Sequence, residues 1–560
     1  MIPAARRTTW QGNVGVPGGI PYRTTIYTTL PAGATVAQIN SALAACPSNQ
    51  VVQLSAGTYT LNGTINMQRN GVTLRGATNA NGQATTILRV SGGLFQGIYV
   101  QSPAAYDWDT PIRANHVSWV GGYAQGSTTI TVASTNMAGG AASVPVGRLI
   151  FMDQLNDTNT SAVSVGGGAP GTGLYTSLAQ PNVGGDRYQQ QVARVTAVNG
   201  NTLTITPPLH MPNWSASLQP QIWWEQANPV EGVGVEDIWI QGVDTSNYCT
   251  YGIEYYNTYG CWARNVRVTL SSRHIYVELG SRFEARHCWI ERNPGSGPSN
   301  YGFAIYHSSG SLLEDNIANA VQTPLLLCGN SGCVFSYNYM TNFLSGSWMW
   351  TGVSFHGNHN NMNLFEGNNV NLWSADNQWG SSIYNTAFRN RFSGHDEADT
   401  ASYINNQQAI CVAATNRFQN VVGNVLGTTG VNTYYEDASA CGHETCRIYL
   451  IGNLNSYCGG GYDPIAYSSL LRAVNWDSAN NGIVAGGFTT NDLPASYYLS
   501  AKPAWFGNLR WPPIDPASPA YSMSRTNLPA GYRFIYGVDP ASGQVGNLPP
   551  PPPNFRVVTN

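Results

Sequence analysis

The feature that most restricts the fold of this chain is a short pattern that recurs through its second half. The pattern is a polar residue or glycine, then Asn or a close substitute, then in most copies an apolar residue. The middle residues of the nine copies are Asp237, Asn265, His287, Asn316, Asn338, Asn368, Asn390, Asn424 and Asn453. They are separated by 28, 22, 29, 22, 30, 22, 34 and 29 residues. Recurrence at this period predicts a solenoid, and the flanking strand formers, broken by Gly, Asn and Ser, indicate coils of short β-strands.

The composition fits a solenoid and argues against other classes of protein. The chain has 560 residues, more than one ordinary core supports, but each coil of a solenoid packs only on its neighbours. Charged residues make up 10% of the chain and the net charge is −3. Because there is also no basic block, we expect no nucleic-acid partner. No run of about 18 apolar residues occurs, so we expect no membrane-spanning helix. Lys502 is the only lysine, so a mechanism that needs a lysine must use it.

The ten cysteines favour an oxidising compartment. Two pairs are close in sequence, Cys328 with Cys333 and Cys441 with Cys446, which is typical of disulfides in a secreted protein. The alternative is a set of buried thiols stacked inside the coils. The absence of a Cys-x-x-Cys pair argues against a metal site. Residues 1–7 lack the apolar core of a signal peptide, so the chain is either a processed secreted protein or intracellular, and its composition favours secretion.

One amphipathic helix is predicted at residues 34–46. Thr35 and Gln38 have the spacing of a capping box, and Ile39 and Leu43 fall on one face of the helix. A short helix ahead of a solenoid is expected to cover the open end of the first coil.

The rest of the chain divides into segments of different character. We expect an extended segment at 1–34, a β-helix at 35–455, an irregular wrapping segment at 456–548 and a proline-rich linker at 549–560. A small antiparallel β subdomain at about 110–215 is expected to interrupt the β-helix, and Asn199-Gly200 is a hairpin signal within it. The proline run is expected to act as a spacer. The sequence PPPNFRVV resembles the start of a fibronectin-type domain, so a further C-terminal domain is expected beyond this linker.

The segment VVQLSAGTYTLNGTINMQRNGVTLRGA resembles the opening of the pectate-lyase-like right-handed parallel β-helix superfamily, many of whose members are secreted by bacteria. The resemblance covers about residues 35–90 and, through the repeated pattern, about 225–455. It implies an all-β fold, a right-handed parallel β-helix with a capping helix, and a secreted bacterial protein. It does not select an activity, because this superfamily includes polysaccharide lyases, glycoside hydrolases, esterases, epimerases and phage tailspikes.

Alignment of the coils places equivalent side chains in columns. Within a column, residues on neighbouring coils are about 4.8 Å apart. Nine positions before the repeated Asn, the column contains Glu278, His307, Gly329 and His359. We expect Glu278 beside His307, with the glycine leaving room for a ligand between the two histidines. His356 lies twelve positions before the repeat.

Asp376 precedes the corresponding strand of the next coil. We expect Glu278, His307, His356, His359 and Asp376 to form one cluster, because ionisable residues are otherwise scarce. The alternative is a surface strand whose histidines only pair with neighbours.

Two positions before the repeat the column is mostly apolar and is predicted to face the core. Glu314 and Glu366 fall in it. Either these two carboxylates are buried with hydrogen-bond partners, or the alignment is wrong by one residue at these coils.

The longer coils have their extra residues after Asp237, His287, Asn338 and Asn390, so the insertions are predicted to project from one side of the rod. Insertions on one face of a solenoid commonly mark the binding face. Four aromatic side chains are candidates for stacking on sugar rings: Trp348, Trp350, Trp379 and Tyr306. For Trp348 and Trp350 the alternative is packing of the loop against the coils.

The residues predict no cofactor. The alternative is a calcium ion near Asp396, Glu397 and Asp399, because clustered carboxylates are hard oxygen ligands, although the spacing is not that of an EF-hand. His356 and His359 are three residues apart, but no third metal ligand is fixed by the sequence.

The leading hypothesis is a secreted polysaccharide-degrading enzyme, most simply a glycoside hydrolase. Hydrolysis needs two carboxyl groups about 5–10 Å apart. We assign Asp376 as the acid and Glu278 or Asp396 as the base, with His307, His356 and His359 orienting them.

Two alternatives remain. A polysaccharide lyase would use His307 or His359 as the base, and Arg286, Arg389 and Arg391 to bind a uronate carboxylate. The scarcity of positive charge argues against it. A non-catalytic carbohydrate-binding or adhesive solenoid is the third hypothesis.

Overall fold

The computed structural model describes residues 1–102, 116–136, 143–155, 187, 189–225, 227–295, 299–343, 349–357, 359–377, 380–396, 405–437, 447–452 and 462–541. Through these residues the chain winds as a parallel β-helix with three long sheets. The predicted fold class is confirmed, together with its capping helix and its inserted antiparallel subdomain.

Most coils contribute one strand to each sheet, always in the same order. Sheet 1 consists of Ile26–Leu30, Val51–Leu54, Thr73–Arg75, Gly234–Glu236, Trp262–Arg264, Glu284–Arg286, Leu312–Glu314, Val334–Ser336, Leu364–Glu366, Thr386–Phe388, Asn420–Val422 and Leu471–Ala473. Sheet 2 consists of Gly57–Leu61, Thr86–Val90, Ile238–Gln241, Arg267–Thr269, Trp289–Glu291, Ile317–Asn319, Tyr339–Thr341, Asn369–Val370, Arg391–Phe392, Val425–Leu426, Asn475–Asp477 and the antiparallel Gly482–Val484. Sheet 3 consists of Ile65–Met67, Leu94–Val100, Cys249–Tyr256, Ser271–Glu278, Tyr301–Tyr306, Thr323–Cys328, Val353–Phe355, Trp373–Ala375, Gln408–Val412, Arg447–Ile451 and Tyr434–Asp437.

A closed antiparallel barrel is inserted between the second and third coils. Its strands are Val117–Gly121, Thr129–Val132, Leu149–Gln154, Gln189–Asn199, Thr202–Thr206 and Gln221–Trp223. The predicted hairpin is present, because Asn199 pairs with Thr202 across a turn. A further pair of short strands, Val230–Glu231 and Thr258–Tyr259, flanks the return to the solenoid.

The helices lie at the two ends of the chain. They are Val36–Ala45, Pro464–Ser469, Pro519–Ser522 and Pro529–Tyr536, with short 3-10 turns at Ala4–Arg6, Ala216–Leu218, Thr490–Asp492 and Ala504–Phe506. The first helix begins at the predicted capping box of Thr35 and Gln38 and buries Ile39 and Leu43. No helix of the described part of the chain is long and apolar enough to cross a membrane.

The repeated Asn residues form a ladder inside the turn between sheets 1 and 2. In this ladder, the backbone N–H of each Asn donates a hydrogen bond to the side-chain oxygen of the Asn in the next coil. The stacked residues are Asn316, Asn338, Asn368, Asn390, Asn424 and Asn475. In the earlier coils the same position is Ile238, Val266 and Cys288, one residue after the predicted members Asp237, Asn265 and His287.

The first alternative is correct for the two carboxylates, because Glu314 and Glu366 are buried and accept hydrogen bonds from Tyr498 Oη and Tyr337 Oη. Glu314 and Glu366 stack with Arg286 and Phe388 on the outer face of sheet 1, whereas the residues before them face the core. The ladder also continues past the predicted limit of the β-helix at residue 455. The coil after Asn424 returns at Asn475, and the ninth predicted member, Asn453, lies outside the described residues.

The disulfide prediction is not supported, because none of the seven cysteines in the described residues forms a disulfide. Cys328 ends a strand of sheet 3 and lies outside the main core, whereas Cys333 is part of that core. Their side chains therefore point to opposite sides of the corner that separates them. The alternative prediction, that the cysteines are buried thiols inside the coils, describes Cys261, Cys288 and Cys333. Cys441 and Cys446 lie outside the described residues.

A charged cluster attaches the helix Pro529–Tyr536 to the solenoid. His287 Nδ1 lies 2.9 Å from Asp315 Oδ2, and its Nε2 lies 3.3 Å from Asp539 Oδ2. Arg533 donates to the same Asp315 oxygen at 2.6 Å. Burial and Arg533 lower the pKa of His287, but the hydrogen bonds to Asp315 and Asp539 outweigh them and raise this pKa overall.

This cluster predicts a pH-dependent attachment. A raised folded-state pKa means that the stabilisation is complete below the ordinary His pKa of about 6.5 and is lost as pH rises through the folded value. We expect the unfolding temperature to fall across that window, and His287→Gln to remove this part of the dependence. Thermal unfolding of both proteins between about pH 5.5 and 9 checks this. An unchanged pH dependence in the variant would contradict the assignment.

Candidate functional site

The outer face of sheet 3 lies between two projecting structures. On one side is the barrel, whose His210 Nδ1 lies 2.9 Å from Ser331 Oγ and whose Val192 N–H donates to Ser309 Oγ. Both serines belong to the turns between sheets 3 and 1. On the other side are the connections from sheet 2 to sheet 3, and the four sequence insertions begin there, after Gln241, Glu291, Thr341 and Phe392. The described ends of the insertions therefore lie at one corner of the coils, whereas residues 296–298, 344–348 and 397–404 lie outside the described residues.

Alternation along the strands decides which side chains this face presents. Tyr255, Val277 and Ile305 are in register and point into the core. The residues that follow them therefore point outward. The outward column at the strand ends is Tyr256, Glu278, Tyr306, Cys328, His356 and Asp376.

Two glutamates occupy neighbouring outward positions on adjacent strands. Glu254 pairs with Tyr276, and Glu278 pairs with Tyr256. The two glutamates are thus one strand apart and two residues apart along the strands, which places their Cα atoms about 8 Å from each other. Both are nearly enclosed, with exposed fractions of 7% and 4%. Because both side chains leave the same face of the sheet, this Cα spacing allows the two carboxyl groups to lie about 5–10 Å apart, as hydrolysis of a glycosidic bond requires.

The environment of Glu254 favours its protonated form. Burial is the largest cause of a shift that raises the pKa of Glu254 to about 7, and the negative charge of Glu278 raises it further. A hydrogen bond from Gln96 Nε2 at 2.9 Å acts in the opposite direction. A carboxyl group that keeps its proton near neutral pH is suited to general acid catalysis.

Glu278 is held as an acceptor. Tyr276 Oη donates to its Oε2 at 2.5 Å. Its Oε1 lies 3.8 Å from His307 Nδ1 and accepts no hydrogen bond from the described residues. The predicted contact between Glu278 and His307 is present, but the space above Gly329 is occupied by the His307 ring, because a Cβ there would lie 2.6 Å from His307 Cδ2.

Aromatic rings surround this pair. Tyr251 and Tyr276 stack with centroids 4.8 Å apart, and Tyr276 meets Tyr306 edge-on at 5.2 Å. Arg273 lies over the rings of Tyr251 and Tyr276 and donates to Tyr251 Oη at 2.6 Å. Tyr306, one of the predicted sugar-stacking residues, is half-buried on this face.

His356 and Asp376 form a separate group on the same face. His356 Nδ1 lies 2.6 Å from Asp376 Oδ2. Burial lowers the pKa of His356, but the charge of Asp376 and this hydrogen bond outweigh burial and raise the pKa. Asp376 is four strands from Glu278, or about 19 Å. That separation is too large for the acid–base pair that the sequence suggested.

The other predicted catalytic residues do not join either group. His359 is buried in a turn, and burial lowers its pKa to about 4. Asp396 is buried, and its Oδ2 accepts from the Phe343 N–H at 2.8 Å. Glu397 and Asp399 lie outside the described residues. Within the described ranges, no three His, Cys, Asp or Glu residues are placed to hold a metal ion.

The predicted substrate-binding arginines lie away from sheet 3. Arg389 follows a strand of sheet 1 and donates to the carbonyls of Leu493, Pro494 and Ile514, so it anchors the C-terminal segment. Arg391 begins a strand of sheet 2, is buried, and donates to backbone oxygens, including that of Gly427.

Of the three predicted tryptophans, Trp350 lies within the described residues. Trp350 packs against the main core, which is the packing alternative stated above. Trp348 and Trp379 lie outside the described residues.

Glu254 was not among the predicted residues. The signal that could have found it is the alternation in Gly252-Ile253-Glu254-Tyr255-Tyr256, which places a glutamate on the outward face of a strand. The pKa of Glu254 is raised because neighbouring strands bury its side chain, and a local sequence pattern does not predict that burial.

No protein-family model and no curated protein matches this chain. Solved structures to which it is similar include the tailspike protein gp49 from Pseudomonas phage LKA1, at 14% identity and a TM-score of 0.38, covering 75% of this chain and 70% of that one. The catalytic domain of a GH87 α-1,3-glucanase matches at 10% and 0.36, covering 77% and 59%. A mannuronic acid specific polysaccharide family 6 lyase from human gut microbiota matches at 10% and 0.33, covering 80% and 86%. At these identities and TM-scores the likeness carries no information on activity.

Proposed function

We propose that the protein is a polysaccharide-degrading glycoside hydrolase whose catalytic carboxyl groups are Glu254 and Glu278. The observation that carries this proposal is the pair itself. Two carboxyl groups lie on neighbouring outward positions of adjacent strands, and burial raises the pKa of Glu254 to about 7. Two titratable groups with different environments are the usual basis for separate acid and base roles.

In this mechanism Glu254 donates its proton to the glycosidic oxygen as the bond to the sugar breaks. Glu278 acts on the anomeric carbon, either directly or by taking a proton from a water molecule. Tyr276 holds Glu278 through the hydrogen bond to Oε2 and so fixes which oxygen can act. The near enclosure of both carboxyl groups strengthens their electrostatic effect on the charge that develops.

The shape of the face is compatible with a chain-like substrate. Sheet 3 runs along the rod, and its outward tyrosines lie on successive strands from Tyr251 through Tyr276 to Tyr306. Flat aromatic side chains with a polar edge suit sugar rings, which offer apolar C–H faces and hydroxyl groups. We therefore expect a polysaccharide to lie along this sheet, between the barrel and the insertions.

A polysaccharide lyase is the second candidate, and Arg273 is the observation that favours it. Its guanidinium lies among the rings of Tyr251, Tyr276 and Tyr301, 5.1–5.5 Å from their centroids, and its charge acts on Glu254. A fixed cation there could neutralise a uronate carboxylate while His307 takes the neighbouring proton.

Incubation with a panel of neutral and acidic glycans tests the proposal. New reducing ends without ultraviolet absorbance indicate hydrolysis. Absorbance of an unsaturated uronide indicates elimination and would replace the hydrolase by the lyase. Binding without either product would contradict both and favour a non-catalytic carbohydrate-binding solenoid.

A further inference from the structure

Arg273 lies on the outer face of sheet 3, near the beginning of its strand. It pairs in register with Tyr251 of the preceding coil. A Cβ placed on Gly252, the residue after Tyr251, would lie 2.6 Å from a side-chain carbon of Val268 in the core. Gly252 therefore faces inward, and Tyr251 and its partner Arg273 face outward. This places the guanidinium on the same face as Glu254.

The guanidinium of Arg273 has donors that the described residues do not use. It donates to Tyr251 Oη at 2.6 Å, and its Nε is buried without a hydrogen-bond partner. In the described part of the chain, no carboxylate forms an ion pair with it. Its charge acts on Glu254, but burial favours the protonated form of that residue. A partly buried cation without a counter-ion costs free energy, and an anionic ligand would supply the missing partner.

Three tyrosine rings surround this cation. The ring centroids of Tyr251, Tyr276 and Tyr301 lie 5.1, 5.3 and 5.5 Å from Arg273 Cζ. Cation–π attraction holds the guanidinium in place, and its separation from water strengthens its attraction for an anion. Phe95, which is 60% exposed, meets Tyr251 edge-on at 4.9 Å. An aromatic surface suited to a sugar ring therefore continues from the cation to solvent.

The cation lies to one side of the proposed position of cleavage. Tyr251 and Glu254 are three residues apart on one strand, and Arg273 is on the next strand. The Cα atoms of Arg273 and Glu254 are therefore about 10 Å apart, mainly along the strand direction. A glycan that runs across the strands over Glu254 and Glu278 would meet Arg273 only through a group that projects sideways from a sugar. A planar guanidinium matches a carboxylate, which accepts two parallel N–H bonds from it.

We propose that Arg273 binds the carboxylate of a uronic acid residue, so that the substrate is an acidic polysaccharide and Arg273 determines this specificity. The position of the glycan along sheet 3 rests on the proposed function. In hydrolysis by Glu254 and Glu278, Arg273 binds the substrate and takes no part in breaking the bond. The lyase candidate differs on this point, because there the same cation assists the abstraction of a proton.

Binding of oligosaccharides to the full-length protein tests the inference. The probes are oligomers of galacturonate, mannuronate and guluronate, each compared with its carboxyl-reduced form, in which every carboxylate has become a primary alcohol. Calorimetry on Glu278→Gln prevents cleavage during the measurement. We expect at least one acidic oligomer to bind, its reduced form to bind at least about 10-fold more weakly, and the affinity for the acidic form to fall as salt is added.

Variants made in the same background identify the cation. Arg273→Gln is expected to weaken binding of the acidic oligomer at least about 10-fold and to leave binding of the reduced form unchanged. Arg273→Lys keeps the charge but loses the two parallel donors, so its affinity should be intermediate. Arg267→Gln is the matched control, because Arg267 also lies over aromatic rings, those of Trp239 and Trp289, but pairs with Glu291 on sheet 2. It is expected to change neither affinity.

Thermal unfolding of each variant shows whether it is folded, and the comparison of acidic with reduced oligomers needs no change at Arg273. Binding that depends on both the substrate carboxylates and Arg273 supports the inference. If the unaltered protein binds the acidic oligomer in this way without cleaving it, the proposed hydrolase is contradicted and the acidic ligand stands. Equal binding of acidic and reduced oligomers, no binding of any acidic oligomer, or unchanged affinity in Arg273→Gln would overturn the inference.

Discussion

Replacement of Glu254 by Gln is expected to lower kcat/KM on the cleaved glycan by about 10²–10⁴-fold, the usual contribution of a positioned general acid. Glutamine keeps the shape of the side chain and can still accept from Gln96, but it has no proton to give to the glycosidic oxygen. A substrate with a good leaving group, such as an aryl glycoside, needs less protonation and should lose less rate. Initial rates on both substrates measure this difference.

The pH profile supplies a second readout of the same residue. Glu254 acts as an acid only while it is protonated, and burial raises its pKa to about 7. We therefore expect kcat/KM to fall as pH rises above about 7, and this alkaline limb to be absent from Glu254→Gln. A structural role for Glu254 would change stability without removing one limb of the profile.

Two further variants complete the comparison. Glu278→Gln is expected to be at least as damaging as Glu254→Gln, because it removes the second carboxyl group. Glu291→Gln is the matched control, since Glu291 is a partly exposed carboxylate on sheet 2 that pairs with Arg267 at 2.7 Å. Full activity in either Glu254→Gln or Glu278→Gln would refute the assignment of that residue.

The repeated pattern was sufficient to predict the solenoid but not its register. In the first coils the matched residues, Asp237, Asn265 and His287, have positive φ values of 58°, 51° and 61°. They are the turn residues that precede the ladder position, and short polar side chains tolerate this conformation. From Asn316 onward the match falls on the ladder itself. The turn position favours Asn-like residues because of its positive φ, and the ladder position favours Asn because of its hydrogen bonds. A local sequence pattern therefore cannot distinguish the two positions.

The candidate site shows a similar limit. Column alignment brought Glu278 beside His307, because neighbouring coils differ little in register. Asp376 lies in the same outward column as Glu278 but four strands away, and the assignment of these two residues as a pair ignored the spacing of about 4.8 Å that each strand adds. Arg389 was misassigned for another reason. Its carbonyl partners belong to a C-terminal segment whose path over sheet 1 has no periodic signal in the sequence.

Replacement of Asn368 by Leu is expected to lower the free energy of unfolding by about 3–5 kcal/mol, because buried polar groups are left without partners. Asn368 Oδ1 accepts from the backbone N–H and Nδ2 of Asn338 at 3.0 and 2.9 Å. Its Nδ2 donates to the Phe335 carbonyl at 2.8 Å and to Asn390 Oδ1 at 2.9 Å. Leucine has a similar volume but makes none of these four bonds. Urea unfolding measures the loss, and amide hydrogen exchange should locate it at Asn338.

The matched control is Asn81→Leu, at an exposed residue whose backbone N–H, not its side chain, makes the local hydrogen bond. Surface substitutions of this kind usually change stability by less than about 0.5 kcal/mol. Both variants replace Asn by Leu, so the difference between their free energies of unfolding reports the burial of the Asn368 amide and not the type of substitution. If Asn368→Leu were no more destabilising than Asn81→Leu, the ladder would not be what holds successive coils in register, and side-chain packing inside the coils would have to supply that alignment.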